Sequence, residues 1–318
     1  MNKCAFIFPG QSSQRKGMLQ ALYDESSTVR RTFEEASDVL GYDVADICFY
    51  DPKQQLTDIT INAPLIVTAS LSCYRHMQEK YGYYPSVLAG HSLGEYAALT
   101  CSGAIAFEEV LPLVAFRSKL AVQVMQEQDA VMSVVNGISH VISEELCRNI
   151  RAKGGSVWIS CYNSPNQVAI AGKQHDIATV EMQAVRRGAY CKRLIGNAPY
   201  HTPLMQDAVR ELHAQLRQCS IASPQVPVIS NVSAQPYTKY SIIDNLLLQL
   251  CMPVRWHQSI QSIQKQNINT LIELGSGRIL TRILQKNEPH LHTFSYESTD
   301  ERSQLVAFMP TTSREAGA

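Results

Sequence analysis

The sequence predicts an α/β protein in two parts: a large subdomain with a mainly parallel sheet, and a small inserted subdomain of βαββαβ order. Two observations carry this prediction. Short, wholly apolar runs ("CAFIF", "SVLAG", "TLIELG") alternate with longer helical stretches, as expected of parallel strands buried on both faces. Between residues 129 and 194 the order becomes strand, helix, strand, strand, helix, strand, which is the ferredoxin-like signature. The large subdomain is then residues 1–128 with 195–300, the small one is 129–194, and the polar stretch 301–318 is a flexible tail.

Along the chain, "CAFIF" reads as a buried strand stopped by the turn formers of "PGQSSQRKG". Residues 24–48 carry a helical pattern. "PLIVTASLSCYRHMQEKYG" predicts a helix opening at Pro64 and closing at Gly82, since proline favours the first turn and glycine the position after the last. "SVLAG" is a short strand, and "LGEYAALTCSGA" resumes helical composition. In the small subdomain "AVMSVVNGI" is a strand and "SEELCRNIRAK" a helix. "VWISCYN" and "QVAIAG" are strands about the turn "SPN". "KQHDIATVEMQAVRRG" is the second helix, and "AYCKRLIG" the last strand. "VPVISNV" and "TLIELG" return to core strands, and "IELGSGRILTRIL" repeats strand, glycine turn, helix.

The 318 residues include 28 basic and 28 acidic side chains, so no broad cationic face for nucleic acid is favoured. Nine cysteines are scattered without a C-x-x-C pair or Cys/His ligand spacing. That argues against a metal site and against a disulfide framework, and fits a reducing compartment. The apolar stretch before Pro9 is too short for a signal-peptide core, and no run approaches the roughly 18 residues of a membrane span. A cytoplasmic protein with no membrane partner is the expectation.

"VLAGHSLGEYAAL" places Ser92 in a G-x-S-x-G pattern. At ordinary residue frequencies that pattern arises by chance in about one chain in ten of this length. Strand, sharp turn and helix around it form the context of a nucleophile elbow, as in α/β hydrolases. Serine is hardly ionised at neutral pH, so the elbow needs a base. His91 adjoins Ser92, but neighbours at a tight turn point apart, and it reads as structural. His201, in "GNAPYHTPLM", lies in a loop where the chain returns to the main sheet, a common position for catalytic groups. A surface histidine or a satisfied buried one is the competing reading. Taken alone, Gln11 is a turn residue after Pro9 and Gly10, and Arg117 in "LVAFRSKLAVQVMQ" a snorkelling or ion-paired arginine. Arg186, Arg187, Lys192 and Arg193 form either a solvated face or a contact for an acidic partner. Arg15 and Lys16 offer a contact for phosphates.

The segments "FIFPGQSSQ", "AGHSLGEYAAL", "NAPYHTPLM", "SNVSAQP", "QLCMPVRW" and "ELGSGRILTRIL" occur in one order over roughly residues 3–290. Together they resemble the motifs of malonyl-CoA:acyl carrier protein transacylases, acyltransferases of fatty-acid and polyketide synthesis. The resemblance implies an α/β-hydrolase-like large subdomain and a Ser92–His201 dyad with no acid member. The Gln249 main-chain carbonyl would hold the imidazole, and the N–H groups of Gln11 and Leu93 would form the oxyanion hole. Arg117 would grip the free carboxylate of a malonyl group, a task suited to a permanently charged, forked guanidinium. Leu93 and Tyr200 would set acyl specificity, since methylmalonyl-type members carry glutamine and serine there. No metal or prosthetic cofactor is implied. Malonyl-CoA is the substrate, and phosphopantetheine belongs to the partner, an acyl carrier protein or a carrier domain of a polyketide synthase. Ser12, Ala63 and "RSKLAVQ" depart from the family pattern and point to a trans-acting polyketide enzyme. The alternatives are an acyl-carrier editing hydrolase or esterase of the same fold, and a non-catalytic carrier-binding module.

Overall fold

The computed structural model describes residues 3–194 and 198–309. Its strands, among the described residues, are Cys4–Phe8 (β1), Val87–Gly90 (β2), Ala130–Asn136 (β3), Val157–Ser164 (β4), Gln167–Lys173 (β5), Tyr190–Leu194 (β6), Val228–Ile229 (β7), Thr270–Glu273 (β8) and His292–Ser295 (β9). β1, β2 and β8 are buried at every position, as their unbroken apolar sequences predict. They form the middle of a five-stranded sheet of order β7-β2-β1-β8-β9. All its pairings are parallel. Phe8, Gly90, Ile229 and Glu273 therefore end at one edge of the sheet, the edge where open parallel sheets hold ligands.

The stretch 24–48 resolves into parts of three helices, Gln20–Glu25, Ser27–Leu40 and Val44–Tyr50, the second closed by Gly41 at φ 76°. The helix predicted to open at Pro64 starts earlier, at Ile59, because Asp58 caps it by accepting the Thr60 N–H at 2.8 Å. Pro64 lies in its second turn, where it forgoes one backbone bond, and Gly82 closes it in the left-handed conformation. "VPVISNV" contributes only two residues to the sheet. Beyond Ile229 the backbone leaves the sheet, and the Asn231 N–H turns instead to the Glu95 carboxylate at 2.6 Å. A flexible tail from residue 301 is also not what is found. Thr299–Phe308 is a helix capped by Ser298, with Arg302 and Leu305 buried and Arg302 paired to Glu25 at 3.2 Å. Residues 310–318 lie outside the described ones.

β3–β6 make a separate antiparallel sheet of order β4-β5-β3-β6, with the helices His140–Arg151 and Gln174–Val185 on one face. Period-two alternation divides its residues. Val135 joins Leu146, Ile177 and Val180 in a second core, while Met132, Val134 and Asn136 face a cleft on the other side. Two backbone bonds tie this sheet to the large subdomain: Tyr162 N–H to the Val254 carbonyl and Val254 N–H to the Ser160 carbonyl, both 2.8 Å. The cleft lies between this sheet and the large subdomain.

Candidate active site

Ser92 sits between the end of β2 and the helix Gly94–Cys101 with φ 52°, a left-handed conformation costing a non-glycine residue about 1 kcal/mol or more. Such strain persists only where neighbours over-determine it. Here the Ser92 N–H donates to Asn231 Oδ1 at 2.7 Å, and its carbonyl accepts from Gln249 Nε2 at 2.9 Å. The glycines at either side have no room for a side chain. A Cβ on Gly94 would fall on the Phe8 carbonyl, and one on Gly90 on the Gly94 backbone. The G-x-S-x-G spacing is therefore a packing requirement of this turn.

His201, far away in sequence, brings Nε2 to 2.6 Å from Ser92 Oγ. Its Nδ1 lies 2.6 Å from the main-chain carbonyl of Gln249. A carbonyl only accepts, so Nδ1 carries the hydrogen and Nε2 presents a lone pair to the serine hydroxyl. Burial, reinforced by the charge of Arg117, holds the His201 pKa well below its ordinary value, against the pull of the Gln249 carbonyl. The ring is then a neutral base at physiological pH. His91 points elsewhere, to Asn163 Oδ1 at 2.9 Å and the ring of Trp256, as its structural reading requires.

Gln11 follows Gly10, and a Cβ on Gly10 would stand 2.6 Å from the His91 carbonyl oxygen and 3.5 Å from Leu93 N. The loop after β1 is thus pressed against the elbow. Neither the Gln11 nor the Leu93 N–H donates to a protein acceptor among the described residues. The Leu93 side chain is buried and its N–H lies just ahead of the helix Gly94–Cys101.

Arg117 neither snorkels nor pairs with an acid among the described residues. It is 1% exposed, its Nη2 donates to Gln249 Oε1 at 3.2 Å, and its Nε has no acceptor. The guanidinium lies 4.2 Å above the ring of Tyr200 and 5.6 Å from that of Tyr96. Tyr200, itself buried, is held by a bond from Ser160 Oγ to its carbonyl at 3.0 Å. A shut-away cation with an unsatisfied donor is costly unless a partner arrives, and a carboxylate is the natural one.

Glu95, Asn231 and Tyr237, none of them singled out by sequence reasoning, hold these groups together. Glu95, 0% exposed, accepts from the Asn231 N–H, from Tyr237 Oη at 2.8 Å and from Gln249 Nε2 at 2.6 Å. Burial pushes its pKa up to about 7 although those donors and Arg117 pull it down. Asn231 in turn donates its Nδ2 to the Gly90 carbonyl at 2.6 Å. A charged residue within the apolar "LGEYAAL" was the available signal for Glu95.

Ser92 and His201 open on a cleft of about 430 Å³. Met132, Val134 and Ala169 from the small sheet line it, as do Ile279, Leu280 and Ile283 from the large subdomain. Lys192 and Arg282 are exposed lining residues. Of the other basic residues named from the sequence, Arg193 pairs with Glu181 at 3.0 Å and Arg15 with Glu297 at 2.8 Å. Among the described residues no group of His, Cys, Asp or Glu has the makings of a metal site. No helix among the described residues is long and apolar enough to cross a membrane.

The acyl transferase domain family matches residues 5–304. The chain belongs to that family. It is an enzyme, an acyltransferase. Among relatives, the malonyl CoA-acyl carrier protein transacylase of Escherichia coli K12 is 35% identical over 311 residues, covering 96% of this chain and 99% of that protein. FabD from Acinetobacter baumannii superimposes with a TM-score of 0.92 at 34% identity, over 96% of this acyltransferase and 98% of that chain. A malonyl-transacylase solved in complex with its type II polyketide synthase acyl-carrier protein gives 0.91 at 35% identity, over 96% and 99%. These neighbours share the two-subdomain fold of this acyltransferase.

Proposed function

We propose that this acyltransferase moves a malonyl group from malonyl-CoA to the phosphopantetheine thiol of an acyl carrier protein through an acyl-Ser92 intermediate. The supporting observation is the Ser92–His201 pair joined, through Gln249, to a buried arginine with no acid partner among the described residues. His201 Nε2 takes the Ser92 hydroxyl proton as Oγ attacks the thioester carbonyl. The N–H groups of Gln11 and Leu93 receive the developing oxyanion, often the largest single catalytic contribution. Collapse expels the CoA thiolate, which takes the proton from His201. The carrier thiol then gives its proton to His201 and attacks the acyl-serine; collapse breaks the Ser92 Oγ–acyl bond, His201 returns the proton to Oγ, and the carrier leaves with the malonyl group. Arg117 holds the free carboxylate, and the ring of Tyr200 fills the space an α-methyl branch needs, a discrimination worth ~1–3 kcal/mol. No metal or prosthetic group enters these steps. Leu93 belongs to the same acyl selection.

We propose further that the enzyme is a trans-acting member of polyketide biosynthesis, on the departures at Ser12 and Ala63. Ser12 has φ 76°, in the region that favours the glycine usual in the family. An editing hydrolase would leave Arg117 without a task. The test is loading from an equimolar mixture of malonyl-CoA and acetyl-CoA, read by intact mass and by mapping of the modified peptide. A malonyl adduct on Ser92 is expected to dominate. Preferential acetyl loading, or an adduct at another residue, contradicts the reading.

A further inference from the structure

Glu95 stands one helical turn beyond Ser92, with no acidic or basic neighbour on its own helix, and two of its three hydrogen-bond partners, Asn231 and Gln249, lead to reacting groups. Asn231, which donates its N–H to Glu95 Oε1, receives the Ser92 N–H on its side chain. Gln249, which donates Nε2 to Glu95 Oε2, carries the carbonyl that orients His201. Its Nε2 also faces the Ser92 carbonyl, so two acceptors fix the amide in one sense and leave Oε1 for Arg117. We propose that Glu95 is a positioning residue whose two accepting oxygens set the facing of the Gln249 amide, and through it the Arg117 guanidinium and the preference for a carboxylate-bearing acyl group.

The chemistry is specific to a carboxyl group. Oε1 meets two donors, the Asn231 N–H and the Tyr237 hydroxyl, and Oε2 meets a third. A glutamine at 95 has the same shape but one oxygen for two accepting positions. Either the Asn231 N–H or the Gln249 Nε2 then meets an N–H, at a position 0% exposed to solvent. Where the glutamine turns its NH₂ to Gln249, turning the Gln249 amide over removes the mismatch there at the cost of its bond to the Ser92 carbonyl. That turn presents the Gln249 NH₂ to Arg117 and withdraws the acceptor. The charged and titratable groups around Glu95 are Arg117 from the helix Phe107–Gln128, Tyr96 from its own helix and Tyr237 from the segment after β7.

This inference rests on acylation of Ser92, and its test separates the two. Initial rates of malonyl and acetyl loading from their CoA esters are measured for wild type, Glu95→Gln, Gln249→Met and the double variant. Glu95→Gln is expected to lower the malonyl-to-acetyl rate ratio about tenfold or more. Gln249→Met removes the amide and is expected to lower the ratio similarly, with the double variant no lower than Gln249→Met alone. A purely structural Glu95 lowers the active fraction for both acyl groups, leaves the ratio unchanged, and adds to Gln249→Met. Either result overturns the inference. Should Glu95→Gln fail to fold, an unchanged ratio in Gln249→Met overturns it, and a lowered one supports it. Wild-type protein that loads neither group at Ser92 sinks the functional reading itself.

Discussion

Arg117→Ala is expected to cut malonyl loading of Ser92 by roughly 30-fold to several thousand-fold, while acetyl loading stays within about tenfold of wild type. The range corresponds to the ~2–5 kcal/mol lost when one partner of a buried, hydrogen-bonded charge pair is truncated. It applies here because Arg117 is shut away from water with an unsatisfied Nε and no acid among the described residues. An incoming carboxylate would exchange its hydration for a fixed guanidinium stacked on Tyr200. Acetyl has no such group, so it feels only the lost bond to Gln249 Oε1. Equal falls for the two substrates, read by parallel initial rates, would make Arg117 a structural residue.

Ser92→Ala should yield no covalent adduct from any acyl-CoA, and His201→Ala should lower loading by about 10⁴ or more. The serine figure follows from the absence of a substitute nucleophile at the elbow. The histidine figure follows from the geometry: one nitrogen at 2.6 Å from Oγ, the other locked on a carbonyl, and a pKa held low enough to keep the ring unprotonated. The two losses should not multiply, because the residues act as a unit. Rates and melting temperatures measured together distinguish this from simple unfolding. A His201→Ala protein that still loads within tenfold of wild type would remove the dyad.

The sequence carried different parts of this picture with different force. β1, β2 and β8 were legible because a parallel strand buried on both faces must be apolar throughout. The βαββαβ order was legible because each small element ends in its own turn residues. Ser92 was legible in its strand–turn–helix elbow and His201 as a loop candidate for its base, while Gln249 and the role of Arg117 came from motif resemblance; the four meet although 157 positions separate Ser92 from Gln249. The helix start at Ile59 was obscured because Pro64 carries a stronger local signal than the Asp58 cap. The helix Thr299–Phe308 was hidden by its polar surface, since only Arg302 and Leu305 are buried. Glu95 escaped because its meaning lies in three partners distant from it in sequence, with Asn231, Tyr237 and Gln249 all contributed by the chain beyond the small sheet. No local pattern encodes such a hub.

The most direct test of transfer through Ser92 is a chase. The enzyme is loaded with labelled malonyl-CoA, freed of CoA by gel filtration, and mixed with holo carrier protein. Label should leave the Ser92 peptide and appear on the carrier thiol at the same rate, with little free malonate. An adduct that decays to malonate at a rate indifferent to the carrier, or a carrier acylated only while CoA ester is present, would contradict it.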